Sequence, residues 1–241
     1  MSEGNGTALV TGAGSRLGGE FALALAGAGY DLAVHYRSSA QGAHGVAAAA
    51  RDLGRSSEIF QADLNVLEET ESLLGSVNRT LGPVTLLVNN ASIFRPSRVQ
   101  ETGAVEMEHY LRLHVTAPFI LARDMARHLA GRPGAVINLL DWRAFRTDPA
   151  HLAYTVSKAA LESLTRNLAA ALAPTVRVNG LALGAILPPE GMTRDDLPLR
   201  LVPQQRWGSV REAIDALLFL ACGPEYINGH ILVIDGGRNV R

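Results

Sequence analysis

The chain of 241 residues has one cysteine, Cys222, which cannot form an internal disulfide, so a reducing compartment is expected. It has no basic run: the formal net charge is -1, and neither half concentrates lysine or arginine. That excludes the electrostatic footprint of a nucleic-acid or polyanion binder and leaves a small molecule as the expected partner. No uninterrupted apolar run approaches the roughly 20 residues that cross a bilayer. The opening MSEGNGTALV lacks the charged and apolar regions of a signal peptide, so a soluble, cytoplasmic protein is expected. His35, His44, His109, His128, His151 and His230 show no paired metal-ligand spacing with a carboxylate or cysteine neighbour, and no metal is expected. No repeat and no shift of composition divides the sequence, whose 47% hydrophobic content suffices for the core of one domain spanning 1–241.

What is present is an alternation. Short apolar runs (TALVT, DLAVHY, SEIF, VTLLV, AVINLL, TVRVN, ILVI) are separated by stretches of helical periodicity, the rhythm of a parallel α/β sheet. VTLLV and AVINLL are apolar on both pleat faces, as central strands covered by helices on either side require. The stretch carrying Tyr154 is expected to be a helix that buries Leu161, Leu164, Leu168 and Leu172 and stops at Pro174. The alanines of GVAAAARDL read as a small-residue packing face of another helix. One long irregular segment, around 184–205, holds four prolines and reads as a lid over a substrate site, with Asp195 and Asp196 in a solvated turn.

TALVTGAGSRLG sets Gly12, Gly14 and Gly18 after the first strand and before a helix, where backbone N–H groups can hold a pyrophosphate. The second strand ends in His35, Tyr36, Arg37, Ser38 and Ser39 rather than in an acidic residue. An acid there would accept from a ribose 2′-hydroxyl and repel a 2′-phosphate, whereas Arg37 and the two serine hydroxyls would hold the phosphate; NADPH is the expected cofactor. Asp63, followed by Leu64, stands just past the third strand, where its carboxylate can accept from an adenine amino group. The fourth strand ends in Asn89, Asn90, Ala91 and Ser92, and the paired asparagines are expected to hydrogen-bond in the ligand crevice. Tyr154 and Lys158, four apart, share a helix face. A phenol with an ordinary pKa of about 10 is a reluctant acid, but a neighbouring ammonium favours its anion, making Tyr154 a candidate proton donor. Ser157, beside the lysine, is not expected to be a nucleophile because no histidine is positioned to activate it.

Together TGAGSRLG, NNAS, YTVSK and the closing IDGG resemble the short-chain dehydrogenase/reductases over nearly the whole chain and in the right order. The resemblance implies a single-domain Rossmann fold, a doubly wound seven-stranded parallel sheet with helices on both faces, NAD(P) at the carboxyl ends of the strands, and a homotetramer. It implies that Tyr154 gives or takes the substrate proton while Lys158 binds the nicotinamide ribose and depresses the tyrosine pKa. The cofactor set it implies takes in Leu17 in the turn and Gly184 and Ile186 at the entry to the lid.

Three departures bear on substrate. Arg16 stands at the second glycine of the usual turn. Asp141 replaces the catalytic serine, and His114 replaces the helix-borne asparagine of the tetrad. With HYRSS and with Phe94 after NNAS, the first two of these are similar to the pteridine reductase branch, which includes dihydromonapterin and alternative dihydrofolate reductases. There Arg16, Ser92, Phe94, Asp141 and Tyr154 would surround a pterin ring. A pterin offers a C=N bond and N–H groups, which a carboxylate can accept from; the same carboxylate would repel the oxyanion of a ketone reduction. Phe94 is expected to stack on the pterin and Arg16 to reach its polar edge and the pyrophosphate. His114 either holds a water or is structural. The expected activity is NADPH-dependent reduction of a dihydropterin or dihydrofolate. The alternatives are a generic carbonyl reductase of the same superfamily and a non-catalytic NADPH-binding protein.

Overall fold

A computed structural model describes residues 5–189, 191–194 and 199–240. Asp195, Asp196 and Pro198 of the expected lid lie outside the described residues. Each apolar run of the sequence forms a strand: β1 (Thr7–Val10), β2 (Asp31–Tyr36), β3 (Ser57–Gln61), β4 (Val84–Asn89), β5 (Gly134–Asp141), β6 (Val176–Leu183) and β7 (Ile231–Ile234). All pair in parallel, in the order β3-β2-β1-β4-β5-β6-β7. The chain leaves β1 toward one edge and β4 toward the other, so a crevice opens between their carboxyl ends, where ligands of open α/β sheets bind.

Among the described residues seven α-helices connect the strands: α1 (Arg16–Gly27), α2 (Ala40–Asp52), α3 (Leu67–Leu81), α4 (Ala104–Leu111), α5 (Ala117–Leu129), α6 (Leu152–Leu172) and α7 (Val210–Cys222). The pleat divides the core. Ala8 and Val10 of β1 face α1, α2 and α7, while Leu9 between them faces α3, α5 and α6. The alanine face of α2, Ala43, Ala47 and Ala50, is buried as its composition indicates. Leu161 and Leu168 of α6 are buried, but Leu164 and Leu172 are only half-covered, since Thr165 and Ala169 share the buried stripe with them. The helix ends at Leu172, and Ala173 is extended ahead of Pro174, as the ring of a following proline requires. β6 continues past TVRVN through Gly180 to Leu183, paired on both edges with β5 and β7. Between α4 and α5 the residues Arg112–Thr116 form a wide π turn that makes 104–129 one continuous helix. No helix among the described residues is long and apolar enough to cross a membrane.

His35 ties three segments together beneath the crevice. Its Nδ1 accepts from the Gly12 N–H at 3.0 Å, and its Nε2 lies 3.1 Å from the Ala62 carbonyl. The first contact makes Nδ1 an acceptor, so the proton sits on Nε2 and the neutral ring is fully satisfied. Burial pushes its pKa from 6.5 down to about 4, the backbone bond to Ala62 and the Asp63 charge opposing. Above pH 6.5 the ring is neutral folded or unfolded. Between 6.5 and 4 only the unfolded chain takes up the proton, so folding stability falls as pH falls. The loss attributable to this residue is about 3 kcal/mol. In urea unfolding, His35→Leu is expected to lose that much less stability than wild type between pH 6.5 and 4; an unchanged pH dependence would disprove the linkage.

Candidate active site

The turn after β1 and the ends of β2, β3 and β4 enclose a cavity of about 330 Å³. Gly12 sits there at φ +65°, and a Cβ on Gly18 would stand 2.3 Å from the Gly12 carbonyl, so side chains at both positions are excluded. The first turn of α1 carries no acidic residue, leaving its positive end for an anion. Arg37, Ser38 and Ser39 line the far side of the cavity, with His35 and Tyr36 beneath and Asp63 and Leu64 beside them. Arg37 is exposed and makes no ion pair among the described residues. One Asp63 oxygen is spent on the Asn65 N–H at 2.9 Å. Leu17, Asn90, Ala91 and Ser92 complete the wall toward β4. Gly184 and Ile186 do not line this cavity. Gly184 lies under the backbone of Asp235, where a Cβ would come within 2.6 Å, and Ile186 is buried in the apolar core.

Arg16 adopts φ +53°, the left-handed backbone that its glycine-like position demands, at a cost of order 1–3 kcal/mol. It lines the cavity, and its guanidinium donates to the Pro188 carbonyl at 2.5 Å, bracing the turn against the loop after β6. The two asparagines work differently from expectation. Asn89 points inward and donates to Asn138 at 2.8 Å, which in turn donates to Thr165 at 2.9 Å. Asn90 donates to the Thr11 and Gly12 carbonyls at 2.8 and 3.3 Å, and the Thr11 hydroxyl accepts from the Asn90 and Ala91 N–H groups. Asn90 thus braces the turn, and Asn89 links β4 to β5 in the core.

Farther along the crevice, Asp141 ends β5 and Tyr154 projects from the first turn of α6. The Tyr154 hydroxyl donates to Asp141 Oδ2 at 3.3 Å. Lys158, one turn on and buried, donates to the Leu139 carbonyl at 2.7 Å and lies 5.8 Å from the Tyr154 ring centre. The expectation that Lys158 lowers the tyrosine pKa is not met. Burial and then the Asp141 charge push Tyr154 well above its ordinary value, with Arg143 pulling the other way. The phenol is therefore protonated throughout the neutral range, the state a proton donor needs. Burial lowers Lys158 to about 8, Asp141 opposing.

His114 lies in the π turn, 1% exposed, with Nε2 3.0 Å from Ser92 Oγ and Nδ1 2.8 Å from Ser157 Oγ. The Ser157 hydroxyl gives its proton to the Tyr154 carbonyl at 2.7 Å, so it accepts from Nδ1–H, and Nε2 accepts from Ser92. Of the two readings of His114, this geometry favours the structural one. His114 does touch Ser157, but as a donor that cannot activate it, and the serine is fully buried with its proton already committed to the Tyr154 carbonyl. Among the described residues no group of side chains could hold a metal.

A family model for short-chain dehydrogenases, described as enoyl-(acyl carrier protein) reductase, matches residues 12–239. The chain is a short-chain dehydrogenase/reductase. FolM alternative dihydrofolate reductase 1 of Brucella canis, complexed with NADP, superposes with a TM-score of 0.90 at 33% identity over 98% of this chain and 95% of that one. Pteridine reductase 1 of Leishmania tarentolae is 32% identical over 97% of this chain and 96% of its own. The 3-oxoacyl-[acyl-carrier-protein] reductase FabG of Staphylococcus epidermidis is 31% identical over 97% and 98%. The chain is thus an oxidoreductase whose relatives act on chemically different substrates.

This reductase has a group of residues around Asp141 that the motifs did not single out. Arg143 donates its backbone N–H and Nη1 to Asp141 Oδ1 at 2.9 and 3.3 Å, and its Nε to Asp148 Oδ2 at 2.6 Å. His151 Nδ1 lies 3.0 Å from the same Asp148 oxygen. The His151 ring stacks on Phe94 at 4.4 Å and 14°, and the Arg143 guanidinium is 4.9 Å from the Phe94 centre. Phe94 is thus part of a preassembled wall, with the Tyr154 edge against it at 4.9 Å. Trp142 carries Arg143 at 4.8 Å and Arg238, from the chain's end, at 4.2 Å. Trp207, at the foot of the loop after β6, is 9% exposed with Arg194 5.7 Å from its ring. The sequence signal that could have found them is the pair of charges, Arg143 and Asp148, that follows the unusual Asp141 within a few residues.

Lys158 sets an upper pH limit if its ammonium is the working form. Its charge is present below about 8 and lost above. The pH profile of kcat/KM is expected to fall on an alkaline limb with an apparent pKa of about 8, read from initial rates across pH 6–10; activity flat to pH 10 would remove the ammonium from the working state.

Proposed function

We propose that the chain is an NADPH-dependent reductase of the C=N bond of a dihydropterin or dihydrofolate, working as a cytoplasmic homotetramer. The observation that carries this reading is the carboxylate of Asp141 standing 3.3 Å from the Tyr154 hydroxyl, where the short-chain reductases usually have a serine. A carboxylate accepts from substrate N–H groups, and it disfavours the oxyanion of a ketone reduction. The names of the Brucella FolM and Leishmania pteridine reductase relatives support it. A carbonyl substrate is the second reading, supported by a similar identity to FabG.

The glycine turn and the α1 N-terminus would hold the pyrophosphate, Arg37 with Ser38 and Ser39 the 2′-phosphate, Asp63 and Leu64 the adenine, Asn90 to Ser92 the wall toward the nicotinamide, and Lys158 its ribose. When bound, the dinucleotide supplies the hydride. Tyr154, protonated at neutral pH, delivers the proton that completes the C–N–H product. Asp141 Oδ2 orients the substrate by accepting from it, and Ser92 and the Phe94 wall flank the ring. Arg16, engaged with the Pro188 carbonyl, ties the glycine turn to the start of the loop after β6. The exposed apolar side chains of Val105, Phe119, Val156 and Phe219 on α4, α5, α6 and α7 support self-association.

Two outcomes test the reading. Arg37→Ala is expected to weaken NADPH by about 1.5–3 kcal/mol, or tenfold to a hundredfold, while leaving NADH nearly unchanged, as measured by cofactor titration. Equal wild-type efficiency with the two cofactors would refute the phosphate assignment. Asp141→Ser is expected to lower kcat/KM for dihydrobiopterin by about tenfold or more, with Asp141→Asn behaving alike, while activity on an acetoacetyl ester holds or rises. Wild-type dihydropterin turnover in both variants, or wild type reducing the ester alone, defeats the pterin reading in favour of the carbonyl one.

A further inference from the structure

Placing a carboxylate where the family has a hydroxyl creates two physical problems. A free carboxylate can rotate about its side-chain bonds, and at the mouth of a buried site it adds a negative charge beside a phenol. Both are met by one residue. Arg143 puts two donors, its backbone N–H at 2.9 Å and Nη1 at 3.3 Å, on the same oxygen, Asp141 Oδ1. That leaves Oδ2 for Tyr154, at 3.3 Å, and for whatever stands in front of it.

Arg143 is itself held from three sides. Its Nε is fixed by Asp148 at 2.6 Å, and its flat face lies near the rings of Phe94 and Trp142 at 4.9 and 4.8 Å. The Arg143 and Asp141 side chains are only 16% and 18% exposed, so solvent screens the pair weakly. Their effects on Tyr154 are opposite in sign: Asp141 makes the phenol harder to ionise and Arg143 makes it easier.

We propose that Arg143 is a positioning residue, which fixes the Asp141 carboxylate with Oδ2 toward Tyr154 and the substrate and offsets the charge of that carboxylate at the reacting end of the site. It acts through Asp141 and rests on the reading of Asp141 as a substrate-contacting group. The planar fork is needed, because Nε and Nη1 engage two different carboxylates at once; a lysine offers one point charge in place of that geometry.

The test is a double-mutant cycle on the full-length protein with NADPH and dihydrobiopterin. R143M is expected to lower kcat/KM about tenfold to a hundredfold, the size of a charge-assisted contact. R143K is expected to recover only part of this. NADPH affinity by fluorescence titration should change less than about twofold, since Arg143 does not line the dinucleotide cavity. In the D141N background R143M should cost less than about twofold more. Guanidinium chloride at millimolar concentration should raise R143A turnover and leave wild type unaltered, a recovery that a purely structural ion pair would not show. Wild-type rates in R143M, an equal loss in the D141N background, or no guanidinium rescue overturns the proposal. D141N with wild-type turnover instead defeats the reading of Asp141 itself, whatever Arg143 does. Should R143M fail to bind NADPH, R143K replaces it in the cycle with the same criteria.

Discussion

Everything in the crevice depends on a knot of hydrogen bonds where β1 and β4 part. The Thr11 hydroxyl accepts from two successive N–H groups, of Asn90 and Ala91, while the Asn90 amide returns two bonds to the backbone at Thr11 and Gly12. Two strands whose connections run to opposite edges of the sheet would otherwise end in unpaired backbone groups at a buried position, each costing about 1–3 kcal/mol. The knot satisfies them and sets the glycine turn at a fixed height above the sheet. His35 holds the same turn from the other side through Gly12. The cavity at the end of β1 is the space left once these bonds are made.

At the other end of the crevice the governing constraint is charge in a place of low dielectric. Tyr154 and Lys158 are nearly or wholly buried, and burial acts on the two in opposite directions, holding the proton on the phenol and loosening it from the ammonium. The nearby Asp141 carboxylate raises both values. Arg143 holds that carboxylate, Phe94 and Trp142 lie against the Arg143 guanidinium, and His151 stacks on Phe94 and meets Asp148.

Much of this was legible in the sequence where the signal is local and periodic. The seven strands coincide with apolar runs, the central ones because burial on both faces leaves no other pattern. Gly12 and Gly18 announce the turn, and Tyr154 and Lys158 share a face by helical spacing alone. Legibility ends where direction or environment decides. Asn89 and Asn90 are neighbours in sequence, but the pleat sends one into the core toward Asn138 and leaves the other at the turn. Spacing places an ammonium near a phenol without saying that desolvation outweighs its field. The π turn that points His114 at two serines has no composition of its own, and Arg143 reaches Asp141 only because a short 3₁₀ turn, Trp142–Phe145, folds the chain back after β5.

The tryptophan placement has a spectroscopic consequence. The protein has two tryptophans, one stacked between guanidiniums beside Asp141 and the other at the foot of the loop that Arg16 braces. Indole emission shifts with local polarity and is quenched by neighbouring charge, so the two flanks of the crevice each carry a native chromophore. Any rearrangement of the carboxylate side or of the loop side is written into the ultraviolet fluorescence of the unlabelled chain.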